Sequence, residues 1–279
     1  MDVAYVCRAG ENEELRYSLR SLANLPHDNV SVYGGAPSWY TGRHVDVEQR
    51  GGKLTNAYRA LCEATNDDAL SDPFLLMNDD FFAVRKTKVP YLHRGDLAEV
   101  LAWYREQCPS SYYTRGMAKT AALLARLGVK EPISYELHVP IVVNKRAMRD
   151  ALEHCAHDPS LHIRSVYGNL SRLEGKKVDD VKVYSRDDVL PRGPWLSTED
   201  ATFDYISVIL RWLFPDRSEW EAAPSQKPDY GRITTDVGQT HKLGVDVVFE
   251  GVTYPRGTRI DHTTAVLMSR AGAIRAHIR

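Results

Sequence analysis

The chain has 279 residues, 43% hydrophobic and 26% charged, enough to bury one core of about 200 residues or more with an appendage. Its 36 Lys and Arg against 37 Asp and Glu leave a net charge of −1, which implies no global attraction to nucleic acid or to a membrane surface. No apolar run approaches the roughly 20 residues of a membrane span, and Val3-Ala4-Tyr5-Val6-Cys7, with no basic stretch ahead of it, is too short for a signal segment, so a cytoplasmic location is expected. Cys7, Cys62, Cys108 and Cys155 lack metal-ligand spacing and read as reduced, mostly packed thiols.

In chain order, Val3 to Cys7 reads as a buried first strand. Asn12 then caps a helix with Glu13 and Glu14 in its first turn and Leu15, Leu19 and Leu22 on one face until Pro26. Val30 to Tyr33, running into Gly34-Gly35, is the second strand, and His44 to Val47 a short third one. Lys53 to Ala64 reads as a helix and Phe74 to Met77 as a fourth strand. Asp96 opens a helix through Leu97, Val100, Leu101 and Tyr104. His138 to Val143 is strand-like ahead of a helix with Met148, Ala151, Leu152 and Cys155. A last long helix carries Phe203, Ile206, Leu210 and Leu213 and breaks at Pro215. Strands alternating with helices predict an α/β domain over 1–222, a mainly parallel sheet covered on both faces. Ligands of such sheets bind beyond the carboxyl ends of the strands.

Pro224, Pro228, Gly231 and Gly238 interrupt polar sequence and predict a linker over 223–240. Residues 241–279 then read as a small β-rich accessory module. It has a hairpin of Val245 to Phe249 with Val252 to Tyr254, a short helix at 263–269 and a last strand at 273–278. This stretch holds six Lys or Arg against three Asp or Glu, either a solvated basic face or a contact surface.

The tripeptide Asn78-Asp79-Asp80 stands at the end of the fourth strand. Two adjacent carboxylates at the lip of a buried strand repel each other and lose hydration, and a divalent cation bridging them to a diphosphate relieves both costs. That points to a sugar-nucleotide enzyme; the plainer alternative is an ordinary turn with Asp80 as a local cap.

The string Glu14-Leu15-Arg16-Tyr17-Ser18-Leu19-Arg20-Ser21-Leu22 after Asp2-Val3-Ala4-Tyr5-Val6 resembles the first two sequence blocks of the Stealth proteins, sugar-1-phosphate transferases of capsule synthesis and lysosomal-enzyme tagging. Ala36-Pro37-Ser38-Trp39, Leu76 to Phe82, and His138-Val139-Pro140 ahead of Lys145 to Met148 look like later blocks, in order. The short spacing, with Tyr135 to Pro140 and Ser197-Thr198-Glu199-Asp200, is similar to small glycosyltransferase-like proteins of actinobacteria and their phages. The resemblance covers about residues 1–220. It implies a glycosyltransferase-A-like sheet, a nucleotide-sugar donor, expected to be a UDP-sugar, and Mn²⁺ or Mg²⁺. It also implies a macromolecular acceptor: a phage protein, modified DNA or a glycan.

A glycosyltransferase stabilises a departing nucleoside diphosphate and deprotonates an acceptor hydroxyl. Asp80 is the leading metal ligand, with Asp79 beside it as ligand or sugar contact; Asn78 and Asp80 keep the one-residue gap of an Asp-x-Asp site. Arg8, after the first strand, is where a nucleotide would be met, or else a surface cation. Gly51-Gly52-Lys53 with Asn56 enters a helix and offers N–H groups and a cation to an anion, or is a plain loop. Glu13 and Glu14 are natural partners for Arg16 and Arg20, and Arg20 reads as structural. Glu136 and His138 point to one side if their segment is extended, as a base with its orienting partner or as metal ligands, the alternative being a core histidine. Asp200 and Glu199 fit a helix start, with acceptor base as the other use of Asp200. The expected function is metal-dependent sugar transfer from a nucleotide-sugar. The alternatives are sugar-1-phosphate transfer, or a virion or carbohydrate-binding protein that keeps the fold without the chemistry.

Overall fold

A computed structural model describes residues 1–188, 190–191 and 193–222, and beyond them the backbone of four short strands between 240 and 261. The chain divides into two compact units, Met1–Ala222 and Ala223–Arg279.

The first unit begins β1 (Val3–Cys7), α1 (Glu13–Ser21), β2 (Val30–Gly34), β3 (Arg43–Asp46), α2 (Lys53–Asn66) and β4 (Phe74–Asn78). It continues β5 (Phe81–Ala83), β6 (Leu92–His93), β7 (Gly95–Asp96), α3 (Leu97–Gln107), α4 (Tyr112–Arg126), β8 (Ile133–Ser134), β9 (Ile141–Val143), α5 (Lys145–Cys155) and α6 (Ile163–Leu170). It ends β10 (Lys176–Lys177), β11 (Lys182–Val183), β12 (Trp195–Thr198) and α7 (Asp200–Leu213). Five strands form the central sheet in the order β3-β2-β1-β4-β9. The first four are mutually parallel and β9 runs antiparallel at the edge.

Alternation along the central strands sorts their side chains into two cores. Ala4, Phe74 and Leu76 pack with Ala60, Leu61 and Ala64 of α2 and with Met148, Ala151 and Leu152 of α5. Val3, Tyr5, Cys7, Leu75 and Met77 pack with Leu15 and Leu19 of α1 and with Phe81 of β5. Asn12 caps α1 as its sequence predicts, accepting from the Leu15 N–H at 3.0 Å. A smaller sheet, β11-β12-β5, carries α7 through Phe82, Val183, Leu196, Ile206 and Leu210. α3 and α4 make a helical hairpin with its own apolar seam of Leu97, Leu101, Met117 and Leu124, closed at its base by the antiparallel β7–β8 pair.

Two elements depart from expectation. The stretch from His138 is strand only over Ile141–Val143, and residues 135–138 are not extended, because the Leu137 N–H bonds the Tyr135 carbonyl at 2.9 Å. Arg20 is structural, but its partner is distant: Arg16 and Arg20 both hold Glu221, at 2.8 and 2.7 Å, whose side chain is fully buried. Arg16 also keeps Glu13 at 3.0 Å.

In the second unit β13 (Thr240–Lys242) pairs with β16 (Arg259–Asp261), and β14 (Val247–Phe249) with β15 (Val252–Tyr254), both antiparallel. The latter two strands fall within the ranges expected on either side of Glu250-Gly251, residues that lie outside the described ones. The linker expected over 223–240 falls, but for Thr240, outside the described residues. The helix at 263–269 and the strand at 273–278 also lie outside them. Among the described residues no helix is long and apolar enough to cross a membrane.

Candidate functional site

From β1 the chain passes outward through β2 to β3, then returns to place β4 on the other side of β1. The order reverses between β1 and β4, and a crevice opens beyond the carboxyl ends of strands at such a reversal. A cavity of about 300 Å³ lies there. It takes Val6, Cys7 and Arg8 from the end of β1 and Asn78, Asp79 and Asp80 from the end of β4. Gly34 and Gly35 let β2 end hard against this rim: a Cβ on Gly34, whose φ is +115°, would sit 2.2 Å from the Cys7 carbonyl oxygen.

Three helices begin at the cavity. Glu14 comes from the first turn of α1, Lys53 and Asn56 from that of α2, and Asp200 from that of α7. Helix N-termini carry free N–H groups and partial positive charge. That of α2 has no side chain bonded to its cap and no acid in its first turn. The site therefore gathers Arg8, Lys53, Asn56, Asn78, Asp79, Asp80 and Asp200, seven of the nine residues singled out from sequence.

Sequence reasoning missed Glu14, Gln49, Lys182 and Thr198, which line the same space. Glu14 reads locally as a partner for the arginines of its own helix. Instead it accepts from Thr198 Oγ1 at 2.9 Å and meets Arg8 at 3.5 Å. Lys182 left a faint signal: Asp180, Lys182 and Tyr184 alternate with Val181 and Val183, the period of a half-buried strand.

The cavity's carboxylates are crowded. Burial pushes Glu14 up to about 7, with Asp79, Asp80 and Asp200 adding to the effect against the Thr198 bond. Burial and the neighbouring Asp80 also raise Asp79, against a 2.5 Å bond from Asn12 Nδ2. Arg8 stretches between Asp200, at 3.3 Å, and Glu14.

Glu136 and His138 are not among the lining residues, and they do not pair with each other. Glu136 Oε1 accepts from the Ser165 N–H at 3.0 Å and from Ser165 Oγ at 3.1 Å. His138 Nδ1 meets Asp180 Oδ2 at 2.8 Å. Burial acts to raise Asp180, but the bonds and charge of His138 prevail, and its carboxyl lies at about 2. Arg94 stands 4.0 Å from the same oxygen. Half-buried Arg164 lies 5.8 Å from the Phe81 ring, which meets the His138 ring edge-on at 6.2 Å. His138 thus sits across Phe81 from the Asp79-Asp80 turn, in a second polar cluster.

The divalent cation expected from sequence meets an obstacle. Asp80 Oδ2 accepts from Lys182 Nζ at 3.2 Å and from Ser197 Oγ at 3.2 Å, and the same ammonium is 3.0 Å from Glu199. Asp79, Asp80 and His138 do not combine: among the described residues no three of His, Cys, Asp and Glu are arranged to hold a metal ion. The ammonium already holds the Asp80 oxygen and the Glu199 carboxylate, so the donor set as folded fits a resident lysine in the place a metal would take.

Comparison with protein-family models and with curated proteins returned no match to this chain.

Proposed function

We propose that the chain is a glycosyltransferase-A-like enzyme that holds a nucleotide-sugar in the cavity at the β1–β4 reversal and passes the sugar to a macromolecular acceptor. The observation that carries this reading is the meeting in one cleft of the uncapped N-terminus of α2 with the cations Arg8 and Lys53. Cations and exposed N–H groups welcome a diphosphate, while the carboxylates of Asp79 and Asp200 and the amide of Asn78 match sugar hydroxyls.

Transfer makes a bond from the acceptor oxygen to the anomeric carbon and breaks that carbon's bond to the diphosphate, whose oxygen keeps the electron pair. The acceptor proton goes to the carboxylate of Asp200, which lines the cleft with its side chain 71% exposed. Glu136, bonded through Oε1 to Ser165 and outside the cavity lining, positions α6 and takes no part in proton transfer. His138, paired with Asp180 and not among the residues that line the cavity, supports the fold beside the cleft.

The test is a panel of nucleotide-sugars read by thermal shift. One member should stabilise the protein, by about 2.7 kcal/mol at a hundredfold excess over Kd, and Arg8→Ala and Lys53→Ala should each reduce the shift without lowering the ligand-free melting temperature. A panel with no active member, or a shift that survives both substitutions unchanged, overturns the reading. Analysis of the product for phosphorus separates transfer of the sugar from transfer of the sugar phosphate.

A further inference from the structure

We propose that the ammonium of Lys182 is the resident cation for the donor diphosphate, so that donor binding in this cleft needs no divalent metal. The proposal rests on the nucleotide-sugar reading above.

Lys182 is placed by the smaller sheet. β5 follows the Asp79-Asp80 turn directly and pairs antiparallel with β12, Ser197 opposite Phe81. β11 lies parallel to β12 with Lys182 opposite Ser197. One strand thus delivers the Ser197 hydroxyl and the next the Lys182 ammonium to the same oxygen, Asp80 Oδ2. The lysine side chain is 7% exposed and that of Asp80 12%, so the pair is desolvated and weakly screened by salt. An ammonium has three N–H donors. Asp80 and Glu199 take two, and one is left for a ligand in the cavity that Lys182 lines.

The cations that line the cavity are Arg8, Lys53 and Lys182, and of these Lys182 is the one held on Asp80. Lys182 itself stays charged: burial works against its proton, but Asp80 and Glu199 outweigh it. When the sugar leaves, the electron pair stays on a diphosphate oxygen, and the Lys182 N–H is the donor that holds it.

UDP, GDP and CDP titrated by calorimetry, each in EDTA and in Mn²⁺, test the proposal on the full chain. The wild type should bind one of them equally well in both media, and Mn²⁺ alone should give no binding signal. Lys182→Met should weaken that diphosphate about ten- to a hundredfold in EDTA, as for loss of one charged hydrogen bond, and Mn²⁺ should restore much of it, because the ion then reaches Asp80. Lys182→Arg should keep metal-free binding. Wild-type binding that appears only with Mn²⁺ overturns the proposal and leaves the nucleotide-sugar reading intact, and this arm needs no variant to fold. Undiminished binding by Lys182→Met in EDTA also overturns it. Binding of no diphosphate in either medium removes both readings.

Discussion

Glu14 should make this protein less stable as the pH rises through neutrality. Its carboxyl lies at about 7 in the fold against an ordinary 4.5, and its side chain is 7% exposed. A carboxyl raised by folding gives stability that is fully present below 4.5 and is lost as pH rises through about 7. The interval corresponds to about 3.4 kcal/mol. Glu14→Gln is neutral at every pH and still offers an oxygen to Thr198. What it gives up is the 3.5 Å pairing with Arg8, a side chain 55% exposed, worth about 0–1 kcal/mol. The variant should therefore match the wild type at pH 5 and exceed it by about 2–3 kcal/mol at pH 8. Urea unfolding followed by tryptophan fluorescence at the two pH values measures this, with an unchanged slope as the check that only stability moved. Parallel pH profiles for the two proteins would refute the reasoning, as would a variant weaker at both values.

Glu221→Ala should cost about 3–5 kcal/mol in the same assay, because it leaves two half-buried guanidinium groups facing an empty place. For Glu221 burial acts upward, but Arg20, Ser218 and Arg16 hold it down to about 2; its stabilisation is present above 4.5 and lost as pH falls through about 2, so the penalty should shrink only in strong acid. Asp200→Asn should lower turnover about a hundredfold or more with little change in melting temperature, whereas His138→Ala, which breaks the pair with Asp180, should lower the melting temperature and keep turnover per folded molecule; the opposite pattern would move the proton acceptor to His138. A chain ended after Ala222 should remain folded and keep its diphosphate binding, since every proposed donor contact precedes residue 201; aggregation of that fragment would contradict this.

The central sheet was legible because its strands are short apolar runs bounded by turn residues, and α1 because its cap, acids and leucines agree. The bounds of β3 lie one residue earlier than expected, at Arg43–Asp46, where no fully buried position marks the strand. α4 went unread because half of its buried face is Thr114, Gly116 and Thr120, which show no apolar period. The β11-β12-β5 sheet was hidden in strands of two to four residues. At the site, residues on strand ends and helix starts could be placed because those boundaries follow local pattern. Lys182 and Asp180 could not, because their partners lie 102 and 42 residues away, and no local pattern reports a contact of that span. The Glu136–His138 pairing failed on one backbone bond, Leu137 to Tyr135, which breaks the alternation it assumed.

The clasp of Arg16 and Arg20 on Glu221 joins side chains 205 and 201 residues apart, and Glu14 meets Thr198 across 184. On a ribosome adding about 5–20 residues each second, the first helix waits about 10–40 s after its own synthesis for these partners to emerge. Until then its two arginines have no buried acid to hold, and the ligand cleft lacks Lys182, Thr198 and Asp200. An incomplete nascent chain thus lacks much of the proposed site, which is complete only with the closing turn of the unit.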